Sequence, residues 1–201
     1  MKKYLPLIVV LVVVLIIAGW LVGAYNSFVR LGEEVNTQWA QVENQYQRRA
    51  DLIPNLVDTV KGVAGFEQST YVAVTEARSK VGQITVTPET LNDAAAFAKF
   101  QNAQEGLTQA ISRMLLTVEN YPELKASAQF QSLMDELAGT ENRIAVERKR
   151  FNDTVKTYNI KAKGIPGQWL VSLFGMDNEK LLFESEEGSE DAPDVEFDFA
   201  L

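Results

Sequence analysis

Apolar residues follow two different patterns along this chain. From Tyr4 to Tyr25, 22 residues dominated by Leu, Ile and Val carry no charge. A helix of that length measures about 33 Å at 1.5 Å per residue, which matches a bilayer core of about 30 Å. Trp20 and the two tyrosines stand near its ends, as aromatic residues do in membrane helices. The pattern predicts an N-terminal transmembrane anchor over residues 1–25.

A cleaved signal peptide is the alternative, because Val22-Gly23-Ala24 could serve as a cleavage site. The apolar run is longer than the roughly 7–15 residues of a signal-peptide core, which favours the anchor. Lys2 and Lys3 precede the run, and Arg30 is the only basic residue in 26–45. The positive-inside rule therefore predicts an N-terminus in the cytoplasm and a domain outside the cell (inner) membrane.

Gly19 and Gly23 form a G-x-x-x-G pair within the anchor. This spacing lets two membrane helices approach closely and predicts an oligomer interface there. Glycine is also common in membrane helices without any such role, and the pair lies near one end of the run.

After the anchor, apolar residues recur at alternating steps of four and three, which indicates an amphipathic helix. The stripe is Leu31, Val35, Trp39, Val42, Tyr46, Ala50, Ile53, Val57, Val60 and Ala64. No proline or turn cluster separates it from the anchor, so the two are predicted to form one nearly continuous stalk. The stripe keeps its phase across Pro54, which predicts a kink rather than a turn.

Three further helical segments follow. One carries apolar residues from Tyr71 to Val81, a second is predicted to begin with Thr87 as N-cap and to end before Pro122, and the last covers about 127–163. Short connections between long helices favour an all-α domain over residues 26–183, arranged as an antiparallel four-helix bundle.

The last helix has polar residues where its stripe calls for apolar ones. Thr140 or Glu141 occupies one such place and Arg148 another. A buried polar layer, with Arg48 or Arg49 as partner of Glu141, is one interpretation. The favoured interpretation is that these side chains lie at the edge of the seam and extend to water.

A short uncharged segment at 165–175 contains Trp169, Leu170 and Phe174. It is expected either to cap the open end of the bundle or to lie in the membrane interface. Capping is the favoured interpretation. If the bundle has four helices, its up-down course returns this segment to the membrane.

The net charge of −8 belongs to the C-terminus. Residues 184–201 contain eight of the 27 acids and no Lys or Arg, which leaves 19 acids against 19 basic residues elsewhere. This acidic tail is predicted to be disordered. Its alternating end, 193–199, could also add a strand to a partner or pack on the bundle. Without a basic field, nucleic acid is not an expected partner.

The chain contains neither Cys nor His. This excludes thiol nucleophiles, thiolate metal sites and Ser-His-Asp triads within the chain, and no phosphate-binding glycine loop is present. We therefore expect no enzymatic activity, no metal site and no cofactor. A carboxylate-dependent enzyme is the least favoured of three hypotheses.

The sequence resembles the LemA family in stretches that cover nearly the whole chain after the anchor. The most specific are 48–57 (RRADLIPNLV) and 140–145 (TENRIA), with shorter matches at 25–31, 77–78, 121–125, 151–152, 158–159, 174–175 and 183–184. The resemblance implies a membrane-anchored, LemA-like four-helix bundle without a settled biochemical activity. Members of that family often carry a His where this chain has Phe66 before Glu67, so no role resting on that His operates here.

Two functional hypotheses remain. The first is a non-enzymatic scaffold that self-assembles and organises or shapes the membrane, with membrane lipid and further copies of itself as partners. Its soluble seam is predicted to include Leu31, Val35 and Trp39, on the expectation that this part of the stalk extends beyond the folded bundle. The second is an adaptor that presents its bundle or acidic tail to another envelope protein, such as a membrane protease.

Overall fold

A computed structural model describes residues 4–85, 87 and 90–184. Its helices are α1 (Leu5–Lys61), α2 (Gln68–Gly82), α3 (Ala94–Val118), α4 (Pro122–Lys125), α5 (Ala128–Lys163) and α6 (Gly167–Phe174), with a 3₁₀ turn at Thr90–Asn92. These described residues contain no strand. The predicted all-α class is confirmed. The acidic tail, and with it the predictions for its order and its strand, lies outside the described residues beyond Glu184.

Helix α1 is one uninterrupted helix of 57 residues with Pro54 inside it. The predicted continuity of the apolar run and the amphipathic stripe is therefore present in the structure. Residues 4–20 are all exposed, whereas buried residues begin at Phe28. We call residues 5–26 the apolar arm. It is long and apolar enough to cross a membrane.

Helix α5 runs antiparallel to α1 along much of the domain. Lys161 lies beside Ser27 near the arm, Glu147 bonds to Gln38 in the middle, and Glu141 reaches Arg49 further along. Ser127 is the N-cap of α5, and its hydroxyl accepts from the Phe130 amide. These ends agree with the predicted bounds of about 127–163.

The start of α3 differs from the prediction. Thr87 does not begin this helix, and Pro88 and Glu89 lie outside the described residues. Asp93 is the N-cap, because its carboxylate accepts from the amides of Ala95 and Ala96. The preceding 3₁₀ turn contains Leu91, which is buried. Both Thr87 and Asp93 have cap chemistry, and the tertiary position of Leu91 decides between them.

Two hydrophobic clusters fill the domain. The cluster nearer the arm joins α1, α3, α5 and α6 around Trp39. The ring of Trp39 lies within 6.1 Å of four phenylalanine rings, centroid to centroid, from Phe97, Phe100, Phe151 and Phe183. The distal cluster joins α1, α2, α3 and α5 around Val60, Val74 and Met114.

Candidate functional site

The end of the domain next to the apolar arm is built from α1, the last turn of α5 and α6. The Tyr25 ring makes an edge contact with Phe174, with centroids 5.1 Å apart. The Phe28 ring makes a similar contact with Tyr158 at 6.2 Å. Helix α6 therefore lies where the arm enters the domain. The up-down course of a four-helix bundle predicts the same position for this segment.

Helix α6 has two unlike faces. Leu170 and Val171 are buried in the core, and Phe174 is half-buried against Tyr25. Trp169 and Leu173 are each 67% exposed, and the preceding Ile165 is 76% exposed. The two interpretations of this segment thus apply to different residues. Leu170 caps the core, whereas Trp169 forms part of an uncovered apolar face beside the arm.

Gly167 allows α6 to seat this closely. A Cβ at this position would lie 1.8 Å from the Lys161 carbonyl oxygen and 3.3 Å from the Phe28 ring. The first contact is with backbone and cannot be relieved by a side-chain rotation. Glycine at this corner is therefore required for the approach of α6 to α5 and α1.

The predicted soluble seam is wrong. Leu31, Val35 and Trp39 are 9%, 0% and 3% exposed within the single chain. They do not extend beyond the folded domain, because they pack in one cluster with residues of α3, α5, α6 and the segment after α6. These residues are core, and no second copy is needed to bury them. A Cβ at Gly19 or Gly23 would meet no atom within 4 Å, and the predicted interface at these two glycines stays a prediction.

Arg49 is the buried member of a polar layer, whereas its partner Glu141 lies at the edge of the seam with a side chain that is 38% exposed. The Arg49 side chain is 2% exposed, and its Nη1 donates to Glu141 Oε1 at 2.7 Å and to Thr108 Oγ1 at 3.0 Å. Its Nη2 donates to the side chain of Gln104. Arg48, the other candidate, is exposed. Arg49 falls seven residues after buried Val42, and this spacing is the signal that could have identified it.

The other two polar positions in α5 also have specific partners. Thr140 is fully buried, and its hydroxyl donates to the Glu136 carbonyl at 2.8 Å. The Arg148 guanidinium lies 4.6 Å from the centroid of the Phe183 ring and donates to the Glu184 carbonyl. Arg148 thus partly covers the aromatic cluster instead of extending freely to water.

Pro54 leaves the Ala50 carbonyl without its usual donor, because proline has no N–H at the i+4 position. Arg78 on α2 supplies one, with its Nε 2.8 Å from the Ala50 oxygen. This contact joins two separate stretches of the LemA resemblance, 48–57 and 77–78. The sequence predicted a kink at Pro54 but not this contact.

Asn152 and Asn159 attach the segment after α6 to helix α5. The Asn152 amide accepts from the Phe183 N–H and donates to its carbonyl, both at 2.9 Å. Asn159, seven residues further along α5, makes the same pair of bonds with Lys180 at 2.8 and 2.9 Å. We call residues 176–184 the strap. It places Phe183 in the core, 5% exposed and stacked on Trp39.

Two tyrosines near these contacts have altered acidity. Burial raises the pKa of Tyr46, against the opposing influence of Arg148 and Arg49. Burial also raises the pKa of Tyr158, and the nearby Asp177 raises it further. Both phenols therefore stay neutral at ordinary pH. Within the described part of the chain, no group of three or more acidic side chains could hold a metal ion.

Comparison with known proteins gives one family. The model of the LemA family matches residues 38–197. Magnetosome protein MamQ of Magnetospirillum gryphiswaldense is 28% identical over 82% of this chain and 66% of its own length. Magnetosome protein MamQ 2 of Paramagnetospirillum magneticum is 28% identical over 92% of this chain and 73% of its own. Protein LemA of Metamycoplasma hominis is 24% identical over 70% of this chain and 60% of its own length.

The chain spans about two thirds of the first of these relatives. The family match itself covers most of the chain, including the Arg49 layer, the Arg78 contact and the strap. The resemblance read from the motifs is thereby confirmed. This protein belongs to the LemA family.

Proposed function

We propose that this protein is a non-enzymatic scaffold anchored in the cell membrane. The observation that carries the proposal is the construction of α1, whose exposed apolar arm continues without a break into the core. Any force or orientation set by the bilayer therefore reaches the domain through one rigid helix. Membership of the LemA family and similarity to the MamQ proteins support a membrane-associated role.

The arrangement we propose is an antiparallel, LemA-like four-helix bundle standing on the membrane surface. Helices α1, α2, α3 and α5 are its members, and α6 lies at the end that faces the bilayer. Ile165, Trp169 and Leu173 then enter the interfacial layer, where Trp is well suited to lie. This second apolar contact restricts the tilt of the domain relative to the membrane.

Self-assembly is the finer part of the proposal. Since the stripe from Leu31 to Trp39 is buried within the chain, copies must meet elsewhere. Gly19 and Gly23 offer a smooth face on the arm, and confinement to one plane raises the effective concentration of the copies. Weak contacts within the membrane then suffice to form a closed assembly.

The test is the size of the full-length protein in several mild detergents and in nanodiscs. We expect a homogeneous assembly of this chain alone, and dissociation when Gly19 and Gly23 are both replaced by Leu. Ala18→Leu is the matched control, because it adds similar bulk on another face of the same helix. A wild-type chain that stays monomeric in every medium would refute the scaffold.

An adaptor is the second candidate, and the closed core favours it in one respect. With Leu31, Val35 and Trp39 buried, the soluble domain loses its predicted self-association seam. The acidic residues 184–201 continue the chain from the end of the strap, and their eight carboxylates without any Lys or Arg suit a basic partner. Crosslinking of wild-type and tail-deleted chains in membranes separates the candidates. A heteromeric product that disappears with the tail supports the adaptor.

A further inference from the structure

A cleft of about 530 Å³ opens between the end of the apolar arm and the corner that joins α5 to α6. Trp20, Gly23 and Ala24 form its wall on the arm, and Ile160 and Ile165 face them. Its volume falls within the roughly 300–1,000 Å³ typical of ligand sites. The lining is apolar except for one charged residue, Lys161.

The Lys161 ammonium lies at one rim of this cleft. It donates to the Ser27 hydroxyl and sits 5.1 Å from the centroid of the Phe28 ring. Across the described residues, no carboxylate lies within 4 Å of it. The two nearby lysines differ in this respect, because Lys163 pairs with Glu179 and Lys180 with Asp177. Lys161 therefore carries a positive charge that no carboxylate of the described residues neutralises.

The apolar wall and the ammonium of the cleft follow one another along the axis of the arm. Trp20 precedes Ser27 by seven residues, so it lies about 10 Å further down the arm at 1.5 Å per residue. The apolar wall accordingly extends along the arm, and the cation stands at the end nearer the domain. A bilayer phospholipid has the complementary order, with an acyl chain in the apolar layer and a phosphate at the surface.

We infer that this cleft binds one anionic phospholipid of the surrounding bilayer. An acyl chain lies against Trp20, Gly23 and Ala24, and the headgroup phosphate accepts from the Lys161 ammonium. The inference rests on the proposed function, since it requires the apolar arm to span the membrane. The occupant is a bilayer lipid and not free phosphate, because phosphate alone leaves the apolar wall exposed. One cation near an anionic headgroup favours it about five-fold over a zwitterionic one.

Tryptophan fluorescence can measure this preference directly. The chain has three tryptophans. The full-length Trp39→Phe/Trp169→Phe protein retains only Trp20, which lines the cleft. It is placed in nanodiscs of phosphatidylcholine and phosphatidylglycerol, with brominated acyl chains on one lipid or the other at equal mole fraction. We expect brominated phosphatidylglycerol to quench Trp20 as strongly as if this lipid were enriched about five-fold over phosphatidylcholine beside Trp20.

Matched variants locate the source of the preference. Lys161→Gln should reduce the enrichment to near one, and Lys161→Arg should retain it. Lys149→Gln removes the same charge from an exposed site three turns away on α5 and should leave it unchanged. Ala24→Leu narrows the cleft without changing charge and should lower quenching by phosphatidylglycerol. If Lys161→Gln does not fold, the Ala24→Leu variant tests the lipid site by itself.

Two failures are distinguishable. Equal quenching by both brominated lipids, in a chain that resists carbonate extraction, overturns the lipid site and leaves the anchor intact. Retention of the preference in both Lys161→Gln and Ala24→Leu overturns the site as well. Release of the wild-type chain by carbonate contradicts the proposed function itself.

Discussion

At the scale of single residues, the contact between Arg78 and Ala50 shows how a helix tolerates an internal proline. A proline in a helix interior costs about 3 kcal/mol, partly through the carbonyl it leaves unpaired. The guanidinium of Arg78 satisfies that carbonyl at 2.8 Å and ties α2 to α1. The two positions are therefore expected to be energetically coupled.

A double-mutant cycle tests this coupling. Arg78→Ala should lower the free energy of unfolding by about 1.5–3 kcal/mol, the range for a hydrogen bond from a charged donor. In a Pro54→Ala background residue 54 regains an N–H for the Ala50 carbonyl, so the same substitution should cost less than half as much. The measurement is denaturant unfolding of all four proteins. Arg113→Ala, at an exposed arginine on α3, is the control. Equal costs in both backgrounds would contradict the coupling.

Arg49 illustrates how far sequence alone identifies a polar layer. Adjacent arginines at 48 and 49 were both candidate partners of Glu141, and only Arg49 has the seven-residue spacing from buried Val42. Gln104 and Thr108, which complete the layer, come from a helix more than fifty residues away. The favoured edge interpretation missed these contacts because it considered α5 alone.

At the scale of elements, the strap is held by an asparagine repeat with the spacing of the helix that carries it. Asn152 and Asn159 are seven residues apart, so they lie on the same side of α5. Each asparagine amide bonds both the N–H and the carbonyl of one strap residue. An extended segment otherwise needs a neighbouring strand to pair these groups. Two side chains thus fix both the direction and the register of the strap.

Loss of one asparagine should loosen the strap locally. Asn159→Ala leaves the Lys180 N–H and carbonyl without partners, so we expect amide exchange at Lys180 to accelerate about ten-fold or more. The estimate takes about 1.4 kcal/mol for the lost pair of bonds. Hydrogen exchange followed by mass spectrometry of the strap measures it. Asn142→Ala, at an exposed asparagine of the same helix, should have no such effect. Unchanged protection in Asn159→Ala would show that Phe183 packing alone holds the strap.

Long elements were predictable from periodicity, and the strap was not. The bounds of α5 and the continuity of α1 follow from stripes many turns long, where single exceptions do not change the phase. Phe183 lies beyond the last helix in a stretch without periodicity, next to the acidic tail. Its place beside Trp39 depends on contacts with α1, α3 and α5. The false prediction of an exposed Trp39 has the same cause, since its partners are distant in sequence.

At the scale of the whole molecule, one helix continues from the apolar arm into both hydrophobic clusters. Buried residues of α1 extend from Phe28 to Val60. This is about 48 Å at 1.5 Å per residue. Helix α6 adds a second support beside the arm. In the proposed arrangement the domain has a defined orientation toward the bilayer, and the side of the membrane on which it stands is the property to measure.

The predicted topology depends on a small charge bias. Lys2 and Lys3 precede the arm, and Arg30 follows it with Glu33 and Glu34 nearby. Because acidic residues contribute little to orientation, the bias is two basic residues against one.

We expect protease added to intact spheroplasts to digest residues 184–201. Lys2→Glu/Lys3→Glu should reduce that digestion by reversing the orientation of part of the population. Arg30→Gln should leave digestion complete, since it strengthens the same bias. A wild-type tail that is cleaved only after lysis would place the domain in the cytoplasm, and the lipid contacts of Trp169 and Lys161 would then involve the inner leaflet.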